Sequence, residues 1–211
     1  MGVSWVLSTN ESAQSFEIAL ERMGAKHNGT FKVDCTVYKP TLPVSGQIGQ
    51  FFLLHHSNFP DSACCFGDPF ASNPTQDAPM ARATTDLGFE LIMQKFTASL
   101  VPDQLQRFEV NGAEYHLKDF RVRVGTALVG TSTKGTVVEF EFAPCAVVMQ
   151  CIQMLSEFVM TFFPNESSSR HTALKLPGPL YRQRSSPDNY RVSDTLEQYL
   201  WVFAEMRKKI P

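Results

Sequence analysis

Residues 105–142 read LQRFEVNGAEYHLKDFRVRVGTALVGTSTKGTVVEFEF. Asn111-Gly112 lies between two strand-like runs, and that dipeptide is the strongest short-range sign of a hairpin turn. Further along, Phe120, Val122 and Val124 alternate with Arg121 and Arg123. After a Gly- and Thr-rich connection, Val138, Phe140 and Phe142 alternate with Glu139 and Glu141. Period-two alternation makes each run a strand with unlike faces, so the stretch predicts an antiparallel meander. If the last two strands are neighbours, two arginines oppose two glutamates, and such cross-strand pairs contribute about 0.2–1 kcal/mol each and help set register.

Working outward, Val3 to Leu7 suits a strand, and Glu11 to Met23 places Phe16, Ala19, Leu20 and Met23 on one helical face, with Gly24 as its stop. Phe31, Val33, Cys35 and Val37 alternate with polar residues across Gly29 to Tyr38, and a further strand is expected at Gln50 to Ser57. Between them, Pro40, Pro43, Gly46 and Gly49 mark a loop. From Asn58 to Pro79 repeated prolines leave room only for a short strand around Ala63 to Phe66. Thr84 or Thr85 is expected to cap a helix carrying Phe89, Ile92, Met93, Phe96 and Leu100, with Pro102 beyond its end. Val148, Cys151, Ile152, Leu155, Val159 and Phe162 form another helical stripe that Pro164 ends. Residues 164–191 are rich in Pro, Ser and basic side chains and read as a mobile connector. Asp194 and Glu197 then make a capping-box pattern for a last helix with Leu196, Tyr199, Leu200, Phe203 and Met206 on its apolar face. The expected fold is α+β: an antiparallel, partly closed β-barrel of roughly six to nine strands flanked by about four α-helices. Residues 1–211 show no internal repeat or composition break and read as one domain.

Composition narrows the function. Hydrophobic residues make up 43% of 211 and charged residues 19%, which excludes wholesale disorder. The net charge of −2 supplies no field that would gather a phosphate backbone, so sequence-specific nucleic-acid binding is not expected. The apolar stretch Phe142 to Phe163 contains Pro144, Gln150, Gln153, Ser156 and Glu157, which makes it an internal helix and not a membrane span. An odd set of five cysteines with no secretory leader predicts reduced thiols in the cytosol or nucleus, so the sequons at Asn10, Asn28 and Asn165 read as chance matches.

No constellation for catalysis emerges. His55-His56 and Cys64-Cys65 are adjacent pairs whose side chains point to opposite faces of a strand, which suits no zinc site. Cys145 and Cys151 lack an accompanying base and read as core packing. Gly125 to Thr131 has the glycine spacing of a phosphate loop without its lysine, and reads as a turn. The basic residues Arg170, Lys175, Arg182, Arg184 and Arg191 have neither a helix nor an aromatic platform to read bases with. Glu139 and Glu141 share a strand face and, pointed into a barrel, would hold a divalent cation while Arg121 and Arg123 grip a phosphate. This is the logic of a metal-dependent phosphohydrolase of the tunnel RNA triphosphatase type, against which stands a solvated cross-strand ion-pair face. No cofactor, metal ligand or catalytic residue is therefore expected.

The order of GTFKVDC (29–35), DFRVRVGT (119–126), KGTVVEFEFAPC (134–145) with Glu157, Phe158 and Phe162 following, and DTLEQYL (194–200) resembles the Mediator subunit 20 family. The Met-Gly-Val start is similar too, and the resemblance spans most of the chain, departing at 58–84 and 164–191. It implies a non-enzymatic protein of the Mediator head module in the nucleus, an antiparallel barrel flanked by helices. It also implies pairing with subunit 18, tethering through the C-terminal region of subunit 8, contact with other head-module subunits and an indirect link to RNA polymerase II. The matching motifs are framework and assign no interface residue. The runs that are apolar on both faces, Phe51, Phe52, Leu53 and Leu54, and Val137, Val138 and Phe140 within 137–142, are the expected partner surface.

Overall fold

The computed structural model describes residues 1–41, 50–60, 63–67, 81–86, 88–96, 99–163, 176–185 and 187–208. Among the described residues eight strands, β1 (Val3–Thr9), β2 (Lys26–Pro40), β3 (Phe51–His56), β4 (Ala63–Phe66), β5 (Arg82–Thr85), β6 (Leu100–Leu117), β7 (Phe120–Val129) and β8 (Ser132–Phe142), form one antiparallel sheet in the order β1-β8-β7-β6-β2-β3-β4-β5. The helices are α1 (Ala13–Arg22), α2 (Gly88–Lys95), α3 (Val148–Met160), α4 (Gly178–Gln183) and α5 (Val192–Lys208). Helix α5 touches β1 and β8 from one end of the sheet and β3 and β4 from the other, so the sheet curls around it as a half-barrel.

The two faces have separate cores. Alternation puts Val6, Val33, Cys35, Phe52, Leu54, Phe108, Val110 and Val137 on the inner face, where Leu196, Tyr199, Leu200 and Phe203 of α5 fill the curl. Phe203 stacks on Phe108 with centroids 4.8 Å apart. The expected apolar stripe of α5 is thus the one that is buried. On the outer face of β1, β8 and β7, Trp5, Val122, Val138 and Phe140 pack against Phe16 and Leu20 of α1 and Cys151, Leu155 and Val159 of α3. Helix α2 covers β2 to β4 more sparsely, with Met93 buried beside Tyr38 and Leu53. Each fully buried aliphatic or phenyl group contributes about 1.5–3 kcal/mol.

Three local expectations are corrected. Asn111-Gly112 is mid-strand in β6, where Gly112 faces Phe31 of β2 and Gly125 of β7. The hairpin turn is Lys118-Asp119, with Lys118 at φ 54°. Glycine serves close approach here: a Cβ on Gly112 would lie 1.9 Å from the Val124 carbonyl oxygen. Thr84 and Thr85 end strand β5 and cap no helix, and Leu100 and Pro102 belong to β6, because pairing with Pro40 and Tyr38 outweighs helical periodicity. In the segment 125–131, residues 125–129 continue β7 and only Gly130-Thr131 turns. The expected loop glycines and proline at 43, 46 and 49 lie outside the described residues, as does 68–79. Of the segment read as a connector, 164–175 and 186 are likewise outside, whereas 178–183 form α4 with Leu180 fully buried, and Tyr190 is buried as well. The start of α5 lies three residues earlier than the capping box implied, so Asp194 sits in its first turn and accepts from the Arg191 backbone N–H at 2.7 Å.

Gly112→Val is expected to cost about 3 kcal/mol or more, since the collision is with backbone and no side chain can yield. A urea titration followed by circular dichroism measures it, and wild-type stability would show that β6 and β7 do not approach this closely.

Candidate functional site: a buried guanidinium among three carboxylates

On the inner face near β1, the alternation that buries apolar side chains also turns charged ones inward. Arg123 of β7 lies opposite Glu139 in the β7–β8 register, and Arg121 opposite Glu141, the pairing expected from the sequence. The surroundings fit neither a solvated ladder nor a cation site. Arg123, Glu139 and Glu141 are 1%, 0% and 0% exposed, so this is no solvated face. Nor is it an open acidic floor, because the Arg123 guanidinium occupies the space between the carboxylates. Its Nη1 donates to Glu139 Oε1 at 2.7 Å, Nη2 to Glu141 Oε2 at 2.9 Å and Nε to Glu114 Oε2 at 2.6 Å. Arg121, half-exposed, reaches Glu141 Oε1 only at 3.6 Å.

Each carboxylate also collects a further donor. Ser4 Oγ donates to Glu139 Oε1 at 2.8 Å and the Tyr199 hydroxyl to Glu139 Oε2 at 2.8 Å. The Gly2 backbone N–H donates to Glu141 Oε1 at 2.8 Å. Asn28 and Asn58 donate to Glu114 at 2.7 and 2.6 Å. The Asn58 backbone N–H donates to His56 Nδ1 at 3.1 Å, which places the ring proton on Nε2, and Nε2 donates to Glu139 Oε2 at 3.2 Å. Burial by itself would raise the carboxyl pKa of Glu139, but Arg123 first, then His56 and Tyr199, hold it far below the usual carboxylate range. Burial likewise opposes ionisation of Glu114, and Arg123 and Asn28 outweigh it. Tyr199 stays a donor, its pKa pushed well up by burial and by the neighbouring Glu139 charge. No group of three or more His, Cys, Asp or Glu side chains among the described residues has the arrangement of a metal site.

A second ion cluster holds the N-terminal turns of α5. Asp194 pairs with Arg82 of β5 and accepts from Gln183 Nε2 at 2.9 Å, and Glu197 binds Arg182 of α4 at 2.5 Å and Arg82 at 3.3 Å. Burial raises the Glu197 pKa despite both arginines.

The expected partner surface is corrected. Phe52, Leu53, Leu54, Val137, Val138 and Phe140 are all buried inside this chain. Strands that are apolar on both faces are so because helices lie on both, with α5 on one side and α1, α2 or α3 on the other. Phe51 is half-buried and stacks on Tyr38 at 5.1 Å. His55 and His56 diverge to opposite faces as expected, and His56 is a structural donor. The Cys35 and Cys151 thiols are pushed up to about 12, chiefly by burial, which makes them inert packing groups. The side chains missed in the sequence, Glu114, His56, Tyr199 and Ser4, come from four separate elements. Three of them carried one signal: each is the polar member of an otherwise apolar stripe, Glu114 after Val110 and Gly112, His56 after Phe52 and Leu54, Tyr199 between Leu196 and Leu200.

A half-barrel whose interior is filled by a helix and by a self-satisfied ion-pair cluster is a scaffold. The family model described as "TATA-binding related factor (TRF) of subunit 20 of Mediator complex" matches residues 1–204. The chain is 37% identical over 210 residues to Mediator of RNA polymerase II transcription subunit 20 of Caenorhabditis briggsae, covering 99% of this chain and 100% of that relative. It is 30% identical to the Homo sapiens protein of the same name, covering 96% of this chain and 89% of that relative. The chain belongs to the Mediator subunit 20 family. Among solved structures, a chain of the Schizosaccharomyces pombe Mediator head module matches with TM-score 0.38 and 12% identity, over 79% of this chain and 93% of that one. A putative adenylyl cyclase from Hippeastrum with triphosphatase activity matches with TM-score 0.45 and 11% identity, over 77% and 87%. Likenesses of that size identify neither a function nor a partner.

Arg123→Met strands three buried carboxylates and is expected to cost about 3–5 kcal/mol in urea unfolding, with Glu139→Gln in the same chain recovering part of the loss. Acid sensitivity follows from the lowered Glu139 and Glu114 pKa values. Their stabilising effect is complete above the unfolded carboxyl value near ~4.3 and is lost as pH falls below it towards the folded values, because the unfolded chain binds the extra protons. Between about pH 5 and pH 3 the wild-type melting temperature should therefore fall more steeply than that of Glu139→Gln. Parallel melting curves would contradict this.

Proposed function

We propose that the chain is a non-enzymatic structural subunit of the Mediator coactivator. It works in the nucleus as one domain of the head module, pairs with subunit 18, is tethered through the C-terminal region of subunit 8 and relays regulatory signals to RNA polymerase II. The observation that carries this reading is the match along nearly the whole chain to relatives named as Mediator subunit 20. The interior supports it physically. A tunnel phosphohydrolase needs carboxylates free to bind a cation, and here Glu114, Glu139 and Glu141 all bind Arg123.

Pairing then belongs to the outer surface. Of the stripe expected to be buried, Met93 of α2 is buried, whereas Ile92 of α2 and Phe96 just beyond its end are 48% and 52% exposed; Leu91 of α2, outside that stripe, is 63% exposed, and Val101 and Leu105 of β6 are exposed as well. An exposed cluster containing an aromatic anchor is the kind of face a partner covers. Co-expression with subunit 18 and the C-terminal segment of subunit 8 should give a stoichiometric complex by size-exclusion chromatography with light scattering. Leu91→Glu with Phe96→Glu should weaken it by about tenfold or more without changing the circular dichroism. A lone monomer, or metal-dependent triphosphate hydrolysis that Glu139→Gln abolishes, would overturn the reading.

A further inference from the structure

The turn that joins β8 to α3 carries two thiols side by side. Cys145 lies just ahead of Val147, the residue that caps α3, and Cys151 lies at the start of the helix. The helix start folds the chain back so that the two sulfurs converge. Each thiol is placed to donate to the same acceptor, the Val147 carbonyl, at 3.4 Å. The sulfurs also share a hydrogen bond with one another. The Val147 backbone N–H donates to the Cys145 sulfur at 3.4 Å and fixes that side chain over the helix start.

The two sulfurs differ in what reaches them. Cys151 is 1% exposed and belongs to the outer-face core with Val148 and Leu155, whereas Cys145 is half-buried at the rim of that core. Burial first, and then the adjacent Cys145 sulfur, push the Cys151 thiol up to about 12, so a reagent arriving from solvent does not find it ionised. Cys145 is the sulfur such a reagent meets. Cys35 and Cys64 are buried in the inner-face core, and neither is bonded to another thiol among the described residues. The pair also sits at a joint of the fold. The Cys145 carbonyl accepts the Val3 N–H at 3.1 Å, where β1 begins, and the Ala146 carbonyl accepts the Tyr190 N–H at 2.6 Å, just before α5.

We propose that Cys145 and Cys151 form a reversible oxidation site for hydroperoxides, closing to a disulfide that locks the joint between β1, α3 and the approach to α5. Hydrogen peroxide transfers one oxygen to the Cys145 thiolate, leaving a sulfenic acid and hydroxide. The Cys151 sulfur then attacks the Cys145 sulfur, the S–O bond breaks, and the Cys151 proton leaves with the sulfenic hydroxyl as water. In sum, two thiols and one peroxide give one disulfide and two waters. The first step prepares the second, because a neutral sulfenic acid at Cys145 removes one of the causes that oppose ionisation of Cys151, and the attacking sulfur is already in contact. The site is independent of the head-module reading and of the exposed face of α2.

The test treats the full chain with hydrogen peroxide in modest excess, alkylates the free thiols after denaturation and maps every cysteine by mass spectrometry. Wild type should lose two alkylatable thiols, recovered as one crosslinked 145–151 peptide lighter by two hydrogens, and dithiothreitol should restore both. Cys151→Ser should stop at a Cys145 sulfenic acid that dimedone traps. In Cys145→Ser the oxidised fraction of Cys151 should fall by about tenfold or more. Hydrogen exchange at the Val3 and Tyr190 amides should slow in the oxidised chain and recover on reduction. If a serine variant fails to fold, the wild-type crosslink map, its reversal by dithiothreitol and the amide exchange decide the question. A peroxide-treated wild type with no 145–151 crosslink would overturn the proposal. So would first oxidation at another cysteine, a disulfide from Cys145 to a second copy of the chain, or exchange at both amides unchanged by oxidation.

Discussion

A guanidinium taken fully out of water needs acceptors close by, and each of the three nitrogens of Arg123 donates to a different carboxylate of β6 or β8. That requirement spreads. Three buried carboxylates carry more charge than one arginine neutralises, so each must collect further donors, and these come from β1, α5, the N-terminal backbone and the segment after β3. The result ties together parts of the chain nearly two hundred residues apart in sequence, and it does so where the sheet curls around α5. Desolvation offsets much of the Coulomb attraction in such a cluster, so its main effect is on specificity. A one-residue slip between β7 and β8 would put Arg123 and Glu139 on opposite faces, leaving one of the charges among the Phe and Leu side chains where α1 and α3 pack.

Helix α5 is the second consequence. Its residues from Ser193 to Trp201 are buried all round, which is unusual for a helix carrying Asp194, Glu197, Gln198 and Tyr199. Every one of these polar side chains is engaged. Tyr199 serves the Arg123 cluster, Asp194 and Glu197 bind the arginines of β5 and α4, and Gln198 terminates the β1 edge. The helix therefore joins opposite ends of an open sheet by apolar contact and by specific bonds at once. Among the described residues the carboxylates of this arrangement are all bound to donors of the same chain.

Much of this is legible in the order of residues. Alternation marks the strands at 3–7, 29–38 and 120–142, the Arg121/Arg123 to Glu139/Glu141 register, and the apolar stripes of α1, α3 and α5. Asn111-Gly112 reads as a turn and is not one, because the residue suited to a left-handed turn is also the one that lets two strands approach closely, and the local sequence does not distinguish these uses. Phe51 to Leu54 and Val137 to Phe140 resemble partner surface because a strand apolar on both faces is covered twice, and the cover here is the chain's own helices.

The sequence by itself determined what depends on spacing along the chain: periodicity, the facing of near neighbours, the pairing of adjacent strands through short turns, and the Mediator subunit 20 resemblance. Only the tertiary structure decided which polar residues are inside. Glu114, His56, Ser4 and Tyr199 meet one guanidinium because β1 and β3 lie on opposite sides of the β8-β7-β6-β2 strands and the curl brings α5 across them. Burial turns the same Arg–Glu pairs from a solvated ladder into a charge cluster that excludes a cation by already containing one.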